Sequence, residues 1–274
     1  MGNNNQIKTG YTEGAPAIAY DHCGSGEAVV FSHAIGGNRT NWRDQLPEFG
    51  KKFHAIAFDT RGYGASEDYE GPFRLDDVAS DLIRVLEATG HKRAHLVGLS
   101  MGGRLILDFY EKHPERVLSL SLCATFHRSD FMSPEEWSEF RRRRSERLLA
   151  GAEPIDIAED VTNTLVRPDT SAAVRERVKA SMSSLHKLSY VKAIEGIHAY
   201  MKPAKLEAIH VPTLVVAGDS DRPSTPEFCK HMADQIPGAE LRIIPRAAHM
   251  LNMEQPEVFN SHVLSFLNRI SVNA

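Results

Sequence analysis

Short runs rich in β-branched and aromatic residues recur along the chain, separated by longer segments with helical periodicity. Continuously apolar runs suit strands of a sheet that is buried on both faces. Strands that alternate with helices indicate an α/β fold, in which helices cover a mostly parallel sheet. The sequence therefore predicts strands of such a sheet at 28–33, 54–59, 94–99, 117–124, 212–218 and 240–245.

The segments between these runs carry the helical pattern. The clearest case is a set of apolar residues that fall on one stripe, as in a helix that faces a core: Leu75, Val78, Ala79, Leu82, Val85 and Leu86. Residues 6–22 contain β-like pieces on either side of Glu13-Gly14 and predict an antiparallel hairpin at the edge of the sheet. Helices are predicted at 41–50, 75–89, 101–113, 225–236 and 255–269.

The alternation of strands and helices stops at Thr125 and resumes at Val211. Between these residues the pattern is helical and interrupted by prolines, with no convincing strand. We interpret residues 125–205 as a helical cap that is inserted into an α/β core made of residues 1–124 and 206–274. Such an insertion would sit over one end of the strands.

Composition excludes several classes of protein. The net charge of −4 and the isoelectric point near 6.4 do not suggest a nucleic-acid partner, which would favour a basic surface. Apolar runs stay well short of the ~18 residues that would span a membrane, and the N-terminus does not resemble a secretory signal. The cysteines Cys23, Cys123 and Cys229 are widely spaced and form no metal-binding pattern. We expect a cytoplasmic monomer or small homo-oligomer.

The motif Gly98-Leu99-Ser100-Met101-Gly102 is the strongest chemical signal in the chain. The predicted strand 94–99 leads directly into it and the predicted helix 101–113 leads directly out of it. A serine in a sharp strand-to-helix turn of this kind is a nucleophile elbow, and the flanking glycines avoid collisions with neighbouring backbone. The helix that follows presents its positive end to the serine. Ser100 is therefore the predicted nucleophile.

A serine nucleophile needs a histidine base, which a carboxylate orients. In this type of fold the chain order is serine, acid, histidine, and the acid and histidine follow the carboxyl ends of strands. His249 follows the last predicted strand, and Asp219 and Asp221 follow the strand before it. We favour Asp221, which lies farther along the loop and has more freedom to reach an imidazole; Asp219 remains the alternative.

The segment Ser32-His33-Ala34-Ile35-Gly36-Gly37 follows the first long apolar run. A turn here can direct a backbone N–H to the same point as the N–H of Met101, which would create an oxyanion hole with two donors. Because backbone groups do the binding, the side chain of Ile35 is free to vary. His33 precedes the serine in the chain, so we interpret it as a structural, hydrogen-bonded histidine and not as the base.

These motifs together resemble the α/β-hydrolase superfamily over nearly the whole chain. The resemblance rests on SHAIGG, FDTRGYGAS, GLSMGG, the GDSD turn and AAHMLNMEQPE. Within the superfamily, VGLSMGG and IPRAAHMLNMEQPEVFNSHVLSFL are similar to 3-oxoadipate enol-lactonases and small carboxylesterases. The resemblance implies Ser100 as nucleophile, Asp221 as acid, His249 as base and Ile35 as an oxyanion donor. This chain has His33-Ala34 where that family has His-Gly.

The predicted function is that of a serine hydrolase that cleaves a carboxylic ester or lactone through an acyl-enzyme. A hydrolase of C–C bonds in ring-cleavage products would use the same three residues, and a ligand receptor or a lyase on the same fold is a further alternative. We expect no metal and no organic cofactor, because the sequence carries neither a ligand cluster nor a phosphate-binding glycine loop. The expected partner is a small ester or lactone, with no nucleic acid and no membrane.

Specificity is expected to depend on the cap. The candidates for its pocket wall are Phe126, His127, Trp137, Tyr190 and Tyr200, with packing between cap and core as the alternative. Because the three predicted catalytic residues lie outside the cap, we expect the cap not to position them. The run Arg141–Arg144 alternates with acidic residues as on a solvated helix. The alternative is that one arginine turns inward to hold a substrate carboxylate.

Overall fold

The computed structural model describes residues 6–127, 132–200 and 202–271, excluding the side chains at 198 and 200. In this part of the chain one sheet has the strand order β1-β2-β4-β3-β5-β6-β7-β8. The strands are β1 Lys8–Tyr11, β2 Ala19–Gly24, β3 Ala28–Ser32, β4 His54–Phe58, β5 Ala94–Leu99, β6 Val117–Cys123, β7 Thr213–Gly218 and β8 Glu240–Ile244.

The pairing of the strands confirms the predicted fold class. From β4 to β8 all neighbouring strands are parallel. Strand β2 runs antiparallel to both β1 and β4, so the predicted hairpin forms the edge of the sheet. Each predicted run in the parallel part coincides with a strand to within one or two residues.

Helices cover both faces of the sheet. Their bounds are α1 Leu46–Phe49, α2 Leu75–Ala88, α3 Met101–Lys112, α4 Pro134–Arg141, α5 Arg147–Leu149, α6 Pro154–Leu165, α7 Ala172–Ser183, α8 Lys187–Tyr200, α9 Pro226–Gln235, α10 Leu251–Glu254 and α11 Pro256–Ser271. Helices α2, α3 and α9 pack on one face, where they share an apolar cluster with Val30 of β3. Helices α1 and α11 pack on the other face, in a cluster that contains Phe31. Adjacent residues of β3 thus enter different cores, which explains its continuously apolar sequence.

The predicted helix at 41–50 is wrong in its length. A 3₁₀ turn, Arg39–Trp42, is followed by the short helix α1. Pro47 lies in the first turn of α1. Because proline has no N–H and its ring collides with the preceding turn, it cannot continue a helix that began several residues earlier.

The chain between β6 and β7 forms helices α4 to α8, and residues Arg142–Glu146 form a π-helical turn between α4 and α5. A third apolar cluster joins these helices to the carboxyl end of the sheet; it contains Tyr63, Phe73 and Met101 together with Trp137, Ile157 and Tyr190. We call residues 132–200 the cap helices. The exact division of the chain into cap and core stays a prediction. Within the described ranges, each helix is too short or too polar to cross a membrane.

Candidate active site

Ser100 occupies the turn between β5 and α3 and has φ 54° and ψ −117°. Positive φ is strained for a residue with a Cβ atom, and such strain is typical of a nucleophile elbow. The glycines on either side permit the close packing of this turn. A Cβ atom on Gly98 would lie 2.5 Å from the Gly102 carbonyl oxygen, and one on Gly102 would lie 2.1 Å from the Ser32 oxygen.

Hydrogen bonds from the neighbouring strand hold the Ser100 turn. The Ser100 amide donates to the Cys123 carbonyl at 2.9 Å, and the Thr125 hydroxyl donates to the Ser100 carbonyl at 2.6 Å. Cys123 is the last residue of β6, the strand that pairs with β5, and Thr125 follows two residues later. The end of β6 therefore maintains the strained conformation of Ser100. The Ser100 hydroxyl is thereby placed at the amino end of α3.

The side chains of His249 and Asp221 form a buried pair. Nδ1 of His249 lies 3.0 Å from Oδ2 and 3.2 Å from Oδ1 of Asp221. Because a carboxylate accepts hydrogen bonds, Nδ1 carries the proton and Nε2 is left as the basic nitrogen. Asp221 is fixed in turn, since its Oδ1 accepts the Ser224 amide at 3.1 Å.

Asp219, the alternative acid, folds the adjacent turn. Its carboxylate accepts the amides of Arg246 and Ala247 and the hydroxyl of Ser220. Burial alone would raise the pKa of Asp219, but these hydrogen bonds lower it below its ordinary value. Of the two aspartates, it is Asp221 whose carboxylate contacts His249.

The cap helices also hold the backbone at His249. The amides of His249 and Met250 both donate to the carbonyl of Leu165, the last residue of α6, at 3.0 and 3.3 Å. The Glu254 carboxylate accepts the amides of Ala248, at 2.8 Å, and Arg167, at 2.9 Å. The expectation that the cap does not contribute to positioning is therefore wrong for His249. Backbone hydrogen bonds of this kind leave no signal in side-chain patterns.

The loop after β3 faces the Ser100 turn. The Gly37 amide donates to the Ala34 carbonyl at 2.9 Å, which closes a tight turn around Ile35 and Gly36. Ile35, Gly36 and Met101 all line the same cavity as Ser100. As the first residue of α3, Met101 has an amide without a partner inside the helix.

His33 is held away from this cavity by two hydrogen bonds. Its Nε2 accepts the Thr60 amide at 3.0 Å, so the proton lies on Nδ1, which donates to the Ala34 carbonyl at 2.7 Å. Burial lowers the pKa of His33, which favours the neutral ring. This geometry is that of a structural histidine that supports the loop of Ile35.

A cavity of about 810 Å³ lies between the sheet and the cap helices, and both Ser100 and His249 line it. Volumes of this size are typical of sites for small-molecule ligands. Of the candidates for its wall, Phe126, Trp137 and Tyr190 line the cavity. The His127 ring stacks on Phe228, which is itself part of the lining. The side chain of Tyr200 lies outside the described part of the chain.

Comparison with known proteins identifies the family of this chain. The family model for the alpha/beta hydrolase fold matches residues 27–256. The chain belongs to the α/β-hydrolase family. The predicted resemblance is therefore confirmed, and with it the assignment to a family of hydrolases.

The chain is similar to several members of this family. It is 27% identical to 3-oxoadipate enol-lactonase 2 of Acinetobacter baylyi, over 89% of this chain and 90% of that protein. It is 29% identical to a protein of Azorhizobium caulinodans assigned as carbamate hydrolase RutD, over 95% of this chain and 98% of that protein. The structure of a thermophilic esterase from Thermogutta terrifontis, solved with malate bound, superposes with a TM-score of 0.86 at 30% identity, covering 97% of this chain and 99% of that one.

The cavity of this α/β hydrolase contains groups that sequence reasoning missed. Pro223, Ser224, Thr225 and Phe228 line it from the loop after β7 and the start of α9. Their position directly after the GDSD turn is the signal that could have indicated them. In the described ranges, no group of three or more histidine, cysteine, aspartate or glutamate side chains is arranged to hold a metal ion.

Proposed function

We propose that the protein is a serine hydrolase that cleaves carboxylic esters or lactones through an acyl-enzyme. One observation carries the proposal. One cavity is lined both by Ser100, in a strained strand-to-helix turn, and by His249, whose Nδ1 contacts the buried carboxylate of Asp221. Ser100 is the nucleophile, His249 the base and Asp221 the acid of this arrangement.

The reaction follows from these roles. The Ser100 hydroxyl oxygen attacks the substrate carbonyl while Nε2 of His249 takes its proton and then gives it to the leaving alcohol. Asp221 accepts the hydrogen bond from Nδ1, which fixes the tautomer and stabilises the imidazolium ion that forms. In the second step Nε2 of His249 takes a proton from a water molecule, whose oxygen attacks the carbonyl carbon of the acyl-enzyme. The bond between that carbon and the Ser100 oxygen then breaks, the acid is released, and His249 returns the proton to Ser100.

The negative charge on the carbonyl oxygen needs hydrogen-bond donors during both steps. We assign this role to the backbone amides of Met101 and Ile35, on two sides of the Ser100 turn. Met101 lies at the positive end of α3, so the helix dipole adds to the stabilisation. Loss of one such donor typically costs ~10²–10³-fold in kcat.

The relatives support an ester or lactone as substrate. Two of the similar proteins are named as an enol-lactonase and an esterase. Ester and lactone hydrolysis need a serine, its base with an orienting carboxylate, and two oxyanion donors, and the groups proposed here supply all of them. The carbamate hydrolase assignment of another relative makes carbamates a further class to test.

The proposal is tested by a turnover panel of 4-nitrophenyl esters with graded acyl chains, aryl esters, lactones and carbamates. We expect Ser100→Ala to lower turnover of the best substrate ~10⁴-fold or more and to keep the melting temperature. Ser80→Ala, an exposed serine on α2, is the matched control. An organophosphonate should label Ser100, as peptide mass spectrometry would show.

Two outcomes would reject the proposal. Ser100→Ala could retain more than a tenth of wild-type activity, or the organophosphonate could modify another serine. Turnover of a vinylogous diketone without turnover of simple esters would instead indicate a C–C bond hydrolase. Tight ligand binding without turnover would indicate a receptor.

A further inference from the structure

Five arginines lie between 141 and 147, and four of them form surface ion pairs with carboxylates. The pairs are Arg141 with Glu195, Arg142 and Arg143 with Glu139, and Arg147 with Asp160. These four agree with the prediction of a solvated helix. Arg144 is the exception.

The Arg144 side chain is buried, with only 6% of the residue exposed. In the described part of the chain its polar neighbours are two neutral hydroxyls, that of Thr164, 3.3 Å from Nη2, and that of Tyr190. Its guanidinium carbon lies 4.0 Å from the centroid of the Phe140 ring, and its Nε is buried without a hydrogen-bond partner. Arginine stays protonated in proteins, so a positive charge is buried here, and within the described ranges no carboxylate pairs with it.

A change in helix geometry places Arg144 on the buried side. The π-helical turn Arg142–Glu146 widens the helix between α4 and α5, and such turns occur frequently at functional sites. Trp137, in α4, and Leu148, in α5, are buried on the same side of this helix. Arg144 therefore occupies an inward position that an apolar residue would fill at lower energetic cost.

Arg144 lines the cavity that Ser100 and His249 also line. Burial of an unpaired charge is unfavourable, and the penalty is removed when an anion binds. Glu139 also lines this cavity, but it is already paired with Arg142 and Arg143. Glu135 and Glu136, also in the lining, are exposed, and Glu136 accepts the Ser133 amide at the start of α4.

A second depression adjoins the cavity and shares Arg143, Thr164 and Arg222 with it. Among the described residues its lining contains four arginines and one aspartate: Arg142, Arg143, Arg147, Arg222 and Asp160. Glu139 pairs with Arg142 and Arg143, so four arginines face two carboxylates here. The protein as a whole has a net charge of −4, so the remaining positive charge is local. Local charge of this sign attracts anions toward a cleft.

We propose that Arg144 binds a carboxylate of the substrate, so that the natural substrate is an ester or lactone with a free carboxylate group. The proposal rests on the serine hydrolase function proposed above. A single buried guanidinium among apolar side chains and neutral hydroxyls matches one negative charge, which favours a carboxylate over a phosphate dianion. The basic depression formed by Arg142, Arg143, Arg147 and Arg222 guides the anion to the cavity.

Binding can be tested without hydrolysis in the Ser100→Ala protein by calorimetry. The probes are the monomethyl esters of succinate, glutarate and adipate, each compared with the methyl ester of the monoacid in which a methyl group replaces the carboxylate. A second series places the carboxylate on the alcohol side, with butanoyl glycolate compared with ethyl butanoate. We expect at least one anionic ester to bind about 10- to 100-fold more tightly than its neutral partner.

Arg144→Gln should abolish this preference, and Arg144→Lys should retain part of it, because lysine keeps the charge but not the planar donor pair. Arg141→Gln is the matched control, since Arg141 belongs to the same run but lines neither depression and pairs with Glu195. Circular dichroism establishes that each variant is folded. If Arg144→Gln does not fold, Arg144→Met takes its place, because methionine keeps an apolar stem without the charge. A preference for the anion that survives in that variant contradicts the proposal.

Turnover by the wild type gives an independent measurement. We expect kcat/KM for the preferred anionic ester to fall about 10- to 100-fold in Arg144→Gln, mainly through KM, because the carboxylate lies away from the reacting carbonyl. In the wild type, kcat/KM for the anionic ester should fall with rising salt concentration, whereas kcat/KM for the neutral ester should not change. Succinate and inorganic phosphate are also compared as inhibitors of the turnover of the anionic ester. If phosphate inhibits as strongly as succinate, the choice of a carboxylate is overturned.

The proposal is overturned if neither series shows a preference for the anion, or if the preference survives Arg144→Gln. If the wild type hydrolyses no ester or lactone, the serine hydrolase function fails. The calorimetric comparison then still decides whether Arg144 binds a carboxylate.

Discussion

The carboxylate of Asp221 lies 3.0 Å from Nδ1 of His249, whereas that of Asp219, two residues earlier, accepts the backbone amides of Arg246 and Ala247. The two aspartates thus have different partners in the same loop. One is placed to orient an imidazole, and the other stabilises the loop itself.

Exchange of each carboxylate for an amide separates these roles. We expect Asp221→Asn to lower kcat ~10³–10⁴-fold, because the amide can no longer stabilise the imidazolium form of His249. Asp219→Asn, the matched control, should lower kcat less than ~10-fold and mainly lower the melting temperature. Steady-state kinetics and thermal unfolding of both variants would test this. The reverse order of effects would make Asp219 the acid.

Glu254 should position His249 without touching the substrate. Its carboxylate accepts the amides of Ala248 and Arg167 and thereby connects the histidine loop to the cap helices. We expect Glu254→Ala to destabilise the fold by about 1–3 kcal/mol, because both amides lose their acceptor. Kinetics should show a lower kcat with little change in KM.

Glu254→Gln should restore part of kcat, since its amide oxygen can still accept one of the two hydrogen bonds. Glu257→Ala, on the exposed side of α11, is the control. If Glu254→Ala lowers only the melting temperature and leaves kcat unchanged, Glu254 is structural and does not position His249.

Trp137 should influence the choice among acyl groups. Its ring stacks on Phe140 with centroids 5.1 Å apart, and it lines the cavity opposite the sheet. We expect Trp137→Phe to shift the ratio of kcat/KM between long and short acyl esters by about 10- to 200-fold, because a changed wall acts on long chains. The exposed Leu149 on α5 provides the control Leu149→Ala. An equal reduction for all esters would assign Trp137 a purely structural role.

A chain of three histidines should make stability depend on pH. Nε2 of His54 lies 2.8 Å from Nδ1 of His22, and Nδ1 of His54 lies 2.7 Å from Nε2 of His91. Burial, and then repulsion from His91 and His22, lowers the pKa of His54 from 6.5 to about 4. Between these two values the unfolded chain takes up a proton that the folded chain does not, so stability falls as the pH falls.

We expect His54→Gln to lose less stability than the wild type between pH 6.5 and 4. The difference should be about 1–2 kcal/mol once solvent screening of this half-buried ring is allowed for. Urea unfolding at several pH values measures it, with the exposed His231→Gln as control. An identical pH dependence in His54→Gln and wild type would show that His54 does not titrate as described.

Much of the fold could be predicted because it depends on local patterns. Continuous apolar runs marked the strands of a doubly covered sheet, and Gly98 and Gly102 marked a turn in which a Cβ atom would collide with backbone. The order of Ser100, an aspartate and His249 followed from the same architecture, since parallel strands bring their carboxyl ends to one edge. Periodicity and steric limits act over a few residues, so the sequence alone contains them.

Tertiary structure decided the rest. Whether Asp219 or Asp221 reaches His249 depends on backbone hydrogen bonds that Asp219 makes to a loop more than twenty residues away. The contact of Leu165 with the His249 amide joins segments that no sequence pattern connects. In the arginine run, one widened helical turn buries Arg144 while its neighbours stay at the surface. Sequence shows which charges exist, but long-range packing determines which of them water screens and which a ligand must neutralise.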